Sequence, residues 1–423
     1  MSTNKPVLRV TRRELLKLGL GVAGVAAGRA LLPGALLQPL AVSQAQAGAL
    51  VNDTPDLVMA ATDGWIHLPP PAVTPYHPDN LAPDPFTTYI FGFRNVTGLT
   101  REQSFAQKMK AQLTAPTFWI DEGAEFRLKL TNLGLQIRPD LIDAHTLHFH
   151  GFRNAIPIFD GEPHSSVGVP IARDLTYLYK PHHPGTYMYH CHFEETEHVH
   201  MGMVGAVFVR PAMGPKFAYN DASTAFDREF VLTTSEVWTL AHWCDSHVQL
   251  PEWSDYNPDF FMINGRSYPD TIAPNGGGTD AVTGDLIAPD GRPELQYQPI
   301  SSLVKCNSGD RVLLRLVNLG YKEQAMRLAG IKMRVVGKDA APLVGRDRAD
   351  LSEHTDTVVL GPGESADAIF VAPEVDTMTR LLLYSRYYTH VSNAGGSGHG
   401  GQMTEVHIYP ASEPLPEQTG PNT

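Results

Sequence analysis

Hydrophobic and polar positions alternate along short stretches of this chain. Phe126, Leu128 and Leu130 alternate with polar partners, and Val312, Leu314 and Leu316 repeat the pattern. A period of two is the mark of a half-buried β-strand. Both stretches lie in a longer internal repeat. Residues 118–134 read FWIDEGAEFRLKLTNLG, and residues 303–320 contain VKCNSGDRVLLRLVNLG. Gly123 matches Gly309, Asn132 matches Asn318, and Gly134 matches Gly320. Further on, Gly151 corresponds to Gly330, and Pro181–Tyr189 corresponds loosely to Pro373–Tyr384. Short strands separated by Gly/Pro turns, with little helical periodicity, predict an all-β protein of two β-sandwich domains.

The expected boundaries follow from composition. The first sandwich runs from about Asp53 to Pro211. A linker containing Pro211, Gly214 and Pro215 leads to the second, from about Phe226 to Pro410. Residues Pro274 to Pro293 are rich in Gly and Asp and predict a surface loop. The Pro/Glu-rich segment 411–423 predicts a mobile tail.

The chain has 423 residues, with 42% hydrophobic, 18% charged and a formal net charge of −12. That charge argues against nucleic acid as a partner. The first 47 residues predict an export signal. Thr11-Arg12-Arg13-Glu14-Leu15-Leu16-Lys17 resembles the twin-arginine motif. A mild apolar stretch from Leu18 to about Leu37 follows, broken by Arg29 and Pro33. Ala45-Gln46-Ala47 then fits a cleavage site, which places the mature start near Gly48. The mature chain has no apolar run long enough to span a membrane. The expected location is the periplasm or cell envelope. In such an oxidising setting Cys244 and Cys306 either pair or stay as two buried thiols.

Two runs carry the chemistry. The first is His145-Thr146-Leu147-His148-Phe149-His150-Gly151. The second is Tyr189-His190-Cys191-His192, followed by His198 and Met203. On strands, His148 and His150 share one face, as do His190 and His192. His145 and Cys191 take the opposite face, with His198 and Met203 joining from the loop beyond. Two His, one Cys thiolate and an axial Met are the ligand set of a blue copper centre. The four remaining imidazoles form a ready second metal site behind it.

The run HTLHFHG resembles the HPxHLHG motif of the multicopper oxidases, and HCH followed by His and Met resembles their second motif. The resemblance implies two cupredoxin-like Greek-key sandwiches. It implies that His145, Cys191, His198 and Met203 hold type 1 copper. It places His148, His150, His190 and His192 at the oxygen-reducing copper cluster. In laccases the His after HCH usually comes sooner; here His198 stands six residues beyond His192, with His200 as a rival ligand. Only His198 lies five residues before a Met. Asp160, in Phe159-Asp160-Gly161, matches the family's proton-donating Asp-Gly element, although an Asp before Gly is commonly just a turn residue.

The second copy lacks these ligands. Aligned on the repeat, His145, His148 and His150 become Gln324, Arg327 and Ala329, and HCH becomes roughly Ser385-Arg386-Tyr387. The family's three-copper cluster uses eight histidines from two domains, and two-domain members complete it between subunits, commonly in a trimer. A homotrimer is therefore expected. His242, His247, His354, His390, His399 and His407 form no HxH pair. His390 and His399 flank the glycine-rich run 395–401 and are candidates to reach a neighbour's copper.

The expected function is an exported copper oxidase. It would take single electrons from a small molecule, a metal ion or a redox protein and reduce oxygen to water. Glu194, Glu195 and Glu197 offer an acidic docking patch for a cationic donor. Two alternatives remain: a blue-copper electron carrier and a copper nitrite reductase. The reductases carry Asp where His148 stands and lack His192, and both differences favour the oxidase.

Overall fold

The alternation read above appears as alternating burial at Phe126–Asn132, whereas Gly185–His190, Arg228–Val237 and Arg311–Asn318 are buried on both faces, where the two sandwiches cover each other. The computed structural model describes residues 54–71, 80–153 and 155–423. The expected export signal and its twin-arginine motif lie outside these residues.

Among the described residues, the first half of the chain gives eight strands: β1 (Leu57–His67), β2 (Thr87–Asn95), β3 (Ala115–Asp121), β4 (Phe126–Asn132), β5 (His148–His150), β6 (Asp174–Tyr179), β7 (Gly185–His190) and β8 (Val204–Arg210). They form two four-stranded sheets, ordered β2-β1-β4-β6 and β3-β8-β7-β5. Leu128 and Leu130 of β4, Phe149 of β5, and Tyr187 and Tyr189 of β7 close the core between them.

The second half supplies β9 (Arg228–Val237), β10 (Phe260–Ile263), β11 (Val304–Asn307), β12 (Arg311–Asn318), β13 (Gln324–Leu328), β14 (Met333–Lys338), β15 (Ala341–Pro342), β16 (Glu353–Thr355), β17 (Thr357–Leu360), β18 (Ser365–Val371), β19 (Thr379–Ser385) and β20 (Met403–Tyr409). Their sheets run β10-β9-β12-β18-β14-β15, with β16 on β14, and β11-β20-β19-β13-β17. The two orders contain the first pair strand for strand. The repeat also holds at single hydrogen bonds. Asn132 Oδ1 caps the Gly134 N–H at 2.8 Å, and Asn318 Oδ1 caps the Gly320 N–H at 3.1 Å. The fold is all-β, with two cupredoxin-type sandwiches.

Among the described residues three short α-helices interrupt the strands: α1 (Arg101–Phe105), α2 (Glu195–Met201) and α3 (Thr239–Ser246). The helix α2 occupies the segment expected to be a ligand loop. Gly202 ends it in a left-handed conformation (φ 119°), where a Cβ would fall 2.7 Å from the Phe91 carbonyl oxygen.

One expectation is corrected. The 411–423 tail is not free. Arg228 donates to the Pro416 carbonyl, Glu229 N to Gln418 Oε1, and Val231 N to Asn422 Oδ1, so the tail satisfies the start of β9 beyond its pairing with β10. The 274–293 insert is the expected surface loop, irregular and largely exposed, and it also clasps the first sandwich. Its Gly284, Ala281 and Val282 carbonyls accept from Arg94 and Gln103, and its Asp285 pairs with Lys110. Of the two alternatives for Cys244 and Cys306, the structure has two buried free thiols.

The sandwiches meet along an apolar seam of Met188, Ala206, Phe208, Val231, Val317 and Leu319. Beside it lies Arg315, fully buried. It pairs with Glu229 at 2.7 Å and Asp367 at 3.3 Å, and donates to Thr186 Oγ1 across the seam at 3.0 Å. Its guanidinium lies 4.4 Å from the centre of the Phe208 ring. Removing the cation leaves two buried carboxylates without their shared counter-charge: Asp367 keeps only the Thr186 and Tyr219 hydroxyls, and Glu229 keeps only Arg210 at 3.6 Å. Arg315→Met should therefore cost about 3–5 kcal/mol of stability. Denaturant unfolding would show this as a lower midpoint, and a midpoint equal to wild type would refute it.

Candidate copper centres

The strand pairing places the histidines. His148 of β5 stands directly opposite His190 of β7, Phe149 opposite Tyr189, and His150 opposite Met188. Paired residues share a face. Leu147, Phe149, Tyr189 and Cys191 turn into the core, and His148, His150, Met188 and His190 turn outward. The regular strand pair ends at His150 and His190. His145 lies before it, tied to Val169 by a single bridge, and Cys191 and His192 lie just after it.

On the core side, Cys191 Sγ lies 3.8 Å from His145 Nδ1 and 3.4 Å from His198 Nδ1. Metal bonds of roughly 2.0–2.3 Å meeting at trigonal angles hold donor atoms about 3.5–4.0 Å apart. The two distances from the sulfur lie close to that arrangement, and all three donor atoms fall within 4.8 Å of one another. Met203 is buried in the same cluster, and its backbone closes the loop. Cys191 N donates to Met203 O at 3.0 Å, and Met203 N donates to His198 O at 2.9 Å. Thr146 N approaches the sulfur at 3.5 Å, and Thr146 Oγ1 accepts from His192 N at 3.1 Å. Burial alone would raise the Cys191 thiol. The His145 and His198 contacts outweigh it and bring the thiol well below its usual range.

The far side of His198 faces an acid. Its Nε2, buried with no hydrogen-bond partner, lies 3.6 Å from Asp143 Oδ2, which also lacks one. Asp143, Glu194 and His198 each bring a donor atom within 4.8 Å of the others. Burial lowers the His198 pKa, but Asp143 and Cys191 prevail and raise it to about 10. Asp143 was not anticipated from the sequence; its only signal is its place two residues before His145.

His200, the rival, points away from Cys191. Its Nε2 accepts from Trp238 N and its Nδ1 meets Tyr256 Oη, both at 3.3 Å, among aromatic rings of the second sandwich.

On the outward side, ring centres of His148 lie 5.9 Å from His150, 5.2 Å from His190 and 4.9 Å from His192. His148, His150 and His190 bring donor atoms within 4.8 Å of one another. His192 Nδ1 is 3.1 Å from Glu195 Oε2. Backbone carbonyls fix two of the rings. His148 Nδ1 contacts Asp160 O at 2.7 Å and His190 Nδ1 contacts Cys191 O at 2.9 Å, which frees each Nε2 for a metal. Burial pushes His190 down to about 3, so its imidazole is neutral at any ordinary pH. The Asp160 carboxylate lies 3.6 Å from His148 Nδ1. Gly161 brings Asp160 close. A Cβ there would sit 2.3 Å from the Leu147 carbonyl oxygen.

The face is not bare, as an isolated first sandwich would leave it. His190 is 7% exposed, and a cleft of about 230 Å³ separates His150 and Met188 from Asp339, Gly363 and Glu364 of the second sandwich. None of the second sandwich's histidines joins a metal-binding group among the described residues. His390 is buried, stacked on Phe261 at 3.9 Å and in contact with Gln324 at 3.2 Å, and so is not presented to a neighbour. His399 is exposed.

A family model described as multicopper oxidase matches residues 91–213, which include both ligand runs. Laccase-15 of Oryza sativa subsp. japonica is 27% identical over 67% of this chain and 41% of its own length. Laccase-12 of Arabidopsis thaliana is 24% identical over 66% of this chain and 42% of its own. Over residues 91–213 the chain is similar to the multicopper oxidases. It spans about two fifths of the length of these curated relatives. Its fold matches the blue copper oxidase of Nitrosomonas europaea (TM-score 0.59, 21% identity, 83% of this chain and 85% of that one). It also matches a copper nitrite reductase from the same organism (TM-score 0.53, 15% identity, 86% and 97%). The chain is thus multicopper oxidase-like, with a candidate His/Cys/His type 1 site.

Colour should report the core site. Copper-loaded protein should be blue, and Cys191→Ser and His198→Ala should each bleach it. His200→Ala should leave the visible spectrum nearly intact. The reverse result for the two histidines would reassign the ligand.

Proposed function

We propose that this chain is an exported copper-dependent oxidase. It takes single electrons from a donor at the His145/Cys191/His198/Met203 site and passes them to oxygen at the His148/His150/His190/His192 face. The observation that carries this reading is the position of Cys191, a core ligand bonded through the backbone to an outward histidine on each side. Copper, when bound, supplies one-electron redox chemistry at each site.

The residues divide the work. Asp143 and Glu194 give a cationic donor, such as a reduced metal ion, a seat beside His198 Nε2. Ile142, 81% exposed, adds an apolar contact next to it. The Cys191 backbone and the Cys191 O to His190 Nδ1 contact join the two sites. The Asp160 carboxyl group, 3.6 Å from His148 Nδ1, serves as the proton relay to the outward face. Oxygen as acceptor and water as product rest on the family resemblance. So does the homotrimer. Export to the periplasm or envelope rests on the twin-arginine motif alone. Among the described residues no helix is long and apolar enough to cross a membrane.

His150→Ala should leave the protein blue. A donor should still reduce that copper once, but oxygen consumption should stop. Copper-loaded wild type that consumes no oxygen with a metal ion, a phenol or a one-electron dye would instead favour an electron carrier.

Asp143→Asn should lower kcat/KM for a cationic metal donor by roughly 10-fold, the scale of one lost charge contact. A neutral phenol should be affected much less. Equal losses for both donors would remove Asp143 from donor binding. Light scattering tests the trimer; a monomeric mass with oxidase activity retained would contradict it.

A further inference from the structure

The hydrogen bonds that close the core copper site recur in the second sandwich and fix a residue-by-residue correspondence. Ser385 N donates to Gln402 O at 2.9 Å, and Gln402 N donates to His390 O at 2.8 Å. These repeat Cys191 N to Met203 O and Met203 N to His198 O. Ser385 therefore stands at the Cys191 position, Gln402 at Met203 and His390 at His198. The strand pair Arg327–Tyr384 likewise stands at His148–His190. The HCH run thus corresponds to Tyr384-Ser385-Arg386, one residue earlier than the sequence repeat implied.

The outward face of the second sandwich consequently reads Arg327, Ala329, Tyr384 and Arg386 in place of His148, His150, His190 and His192. Arg327 is held by Asp356 at 3.1 Å. A guanidinium stays protonated and has no lone pair to give a metal, and alanine has no donor at all. The core positions read Gln324, Ser385, His390 and Gln402, with one imidazole and no thiolate. Whether the second sandwich belongs to the same chain or to a neighbouring copy, it cannot return the four missing imidazoles from these positions. The wall facing His150 in this chain is Asp339, Gly363 and Glu364, which offers oxygens only. A three-copper cluster, held by eight histidines in the family, does not fit the four histidines available here.

We infer that the outward face holds a single copper, gathered by His148, His150 and His190, so that a replete chain carries two coppers. The inference rests on the reading of both faces as copper sites. It parts from the family pattern at the second.

Copper and protein should be quantified on the purified, copper-loaded assembly, and the spins integrated by electron paramagnetic resonance. The expected result is two coppers per chain, both spin-active, one with the blue-site signature and one without. His150→Ala should leave one copper and an unchanged blue band. His390→Gln should leave two. Three or more coppers per chain, or a spin-silent coupled pair, would overturn the inference, as would a blue protein with one copper or loss of copper in His390→Gln. A colourless copper-loaded protein would instead defeat the reading of the core site, which separates the two failures.

Discussion

Everything at this site depends on the antiparallel pairing of His148 with His190. Because the strand period is two, one register decides the face of every neighbouring side chain. A slip of one residue would drive the outward histidines into the aromatic core and push Cys191 out of it. Phe149 and Tyr189, packed against Phe118 and Tyr179, make that slip costly. The core aromatics thus hold the register, and the register sorts the ligands into two sites joined through Cys191.

Burial gives the two faces different electrostatics. In the core, Cys191 and His198 sit in a dry environment where each stabilises the charged form of the other. Asp143 extends that coupling toward the surface. On the outward face, burial lowers His190 and His150 and keeps their imidazoles neutral, the state in which they bind metal. Backbone carbonyls of Asp160 and Cys191 orient two of these rings. The Cys191 residue therefore serves both faces, one through its sulfur and the other through its carbonyl oxygen.

The helix α2 ties this chemistry to the second sandwich. His198 leaves the helix toward Cys191, while His200 leaves it toward Trp238, Trp253 and Tyr256. Tyr321 of the second sandwich donates to the Glu195 and Thr196 carbonyls at the start of the helix. The position of a first-sandwich ligand is therefore set in part by packing across the seam, where Arg315 and its carboxylates fix the approach of the two sheets. A sandwich without ligands of its own acts here as the mould for one.

The sequence by itself determined the all-β class, the internal repeat and the sorting of six candidate ligands by face. These follow from local rules: a period of two, turn glycines, and motif spacing within short segments. It also separated His198 from His200 through the spacing to Met203, and the two rings do point opposite ways. Tertiary structure alone decided the rest. The helical form of 195–201, the facing of His198 by Asp143, the docking of the 411–423 tail and the clasp of the 274–293 insert arise from contacts between distant segments. No local periodicity encodes them. The counterpart of HCH was misplaced by one residue for the same reason. Loops of different length separate the repeats, and only the hydrogen bonds from Ser385 to Gln402 and from Gln402 to His390 fix the alignment.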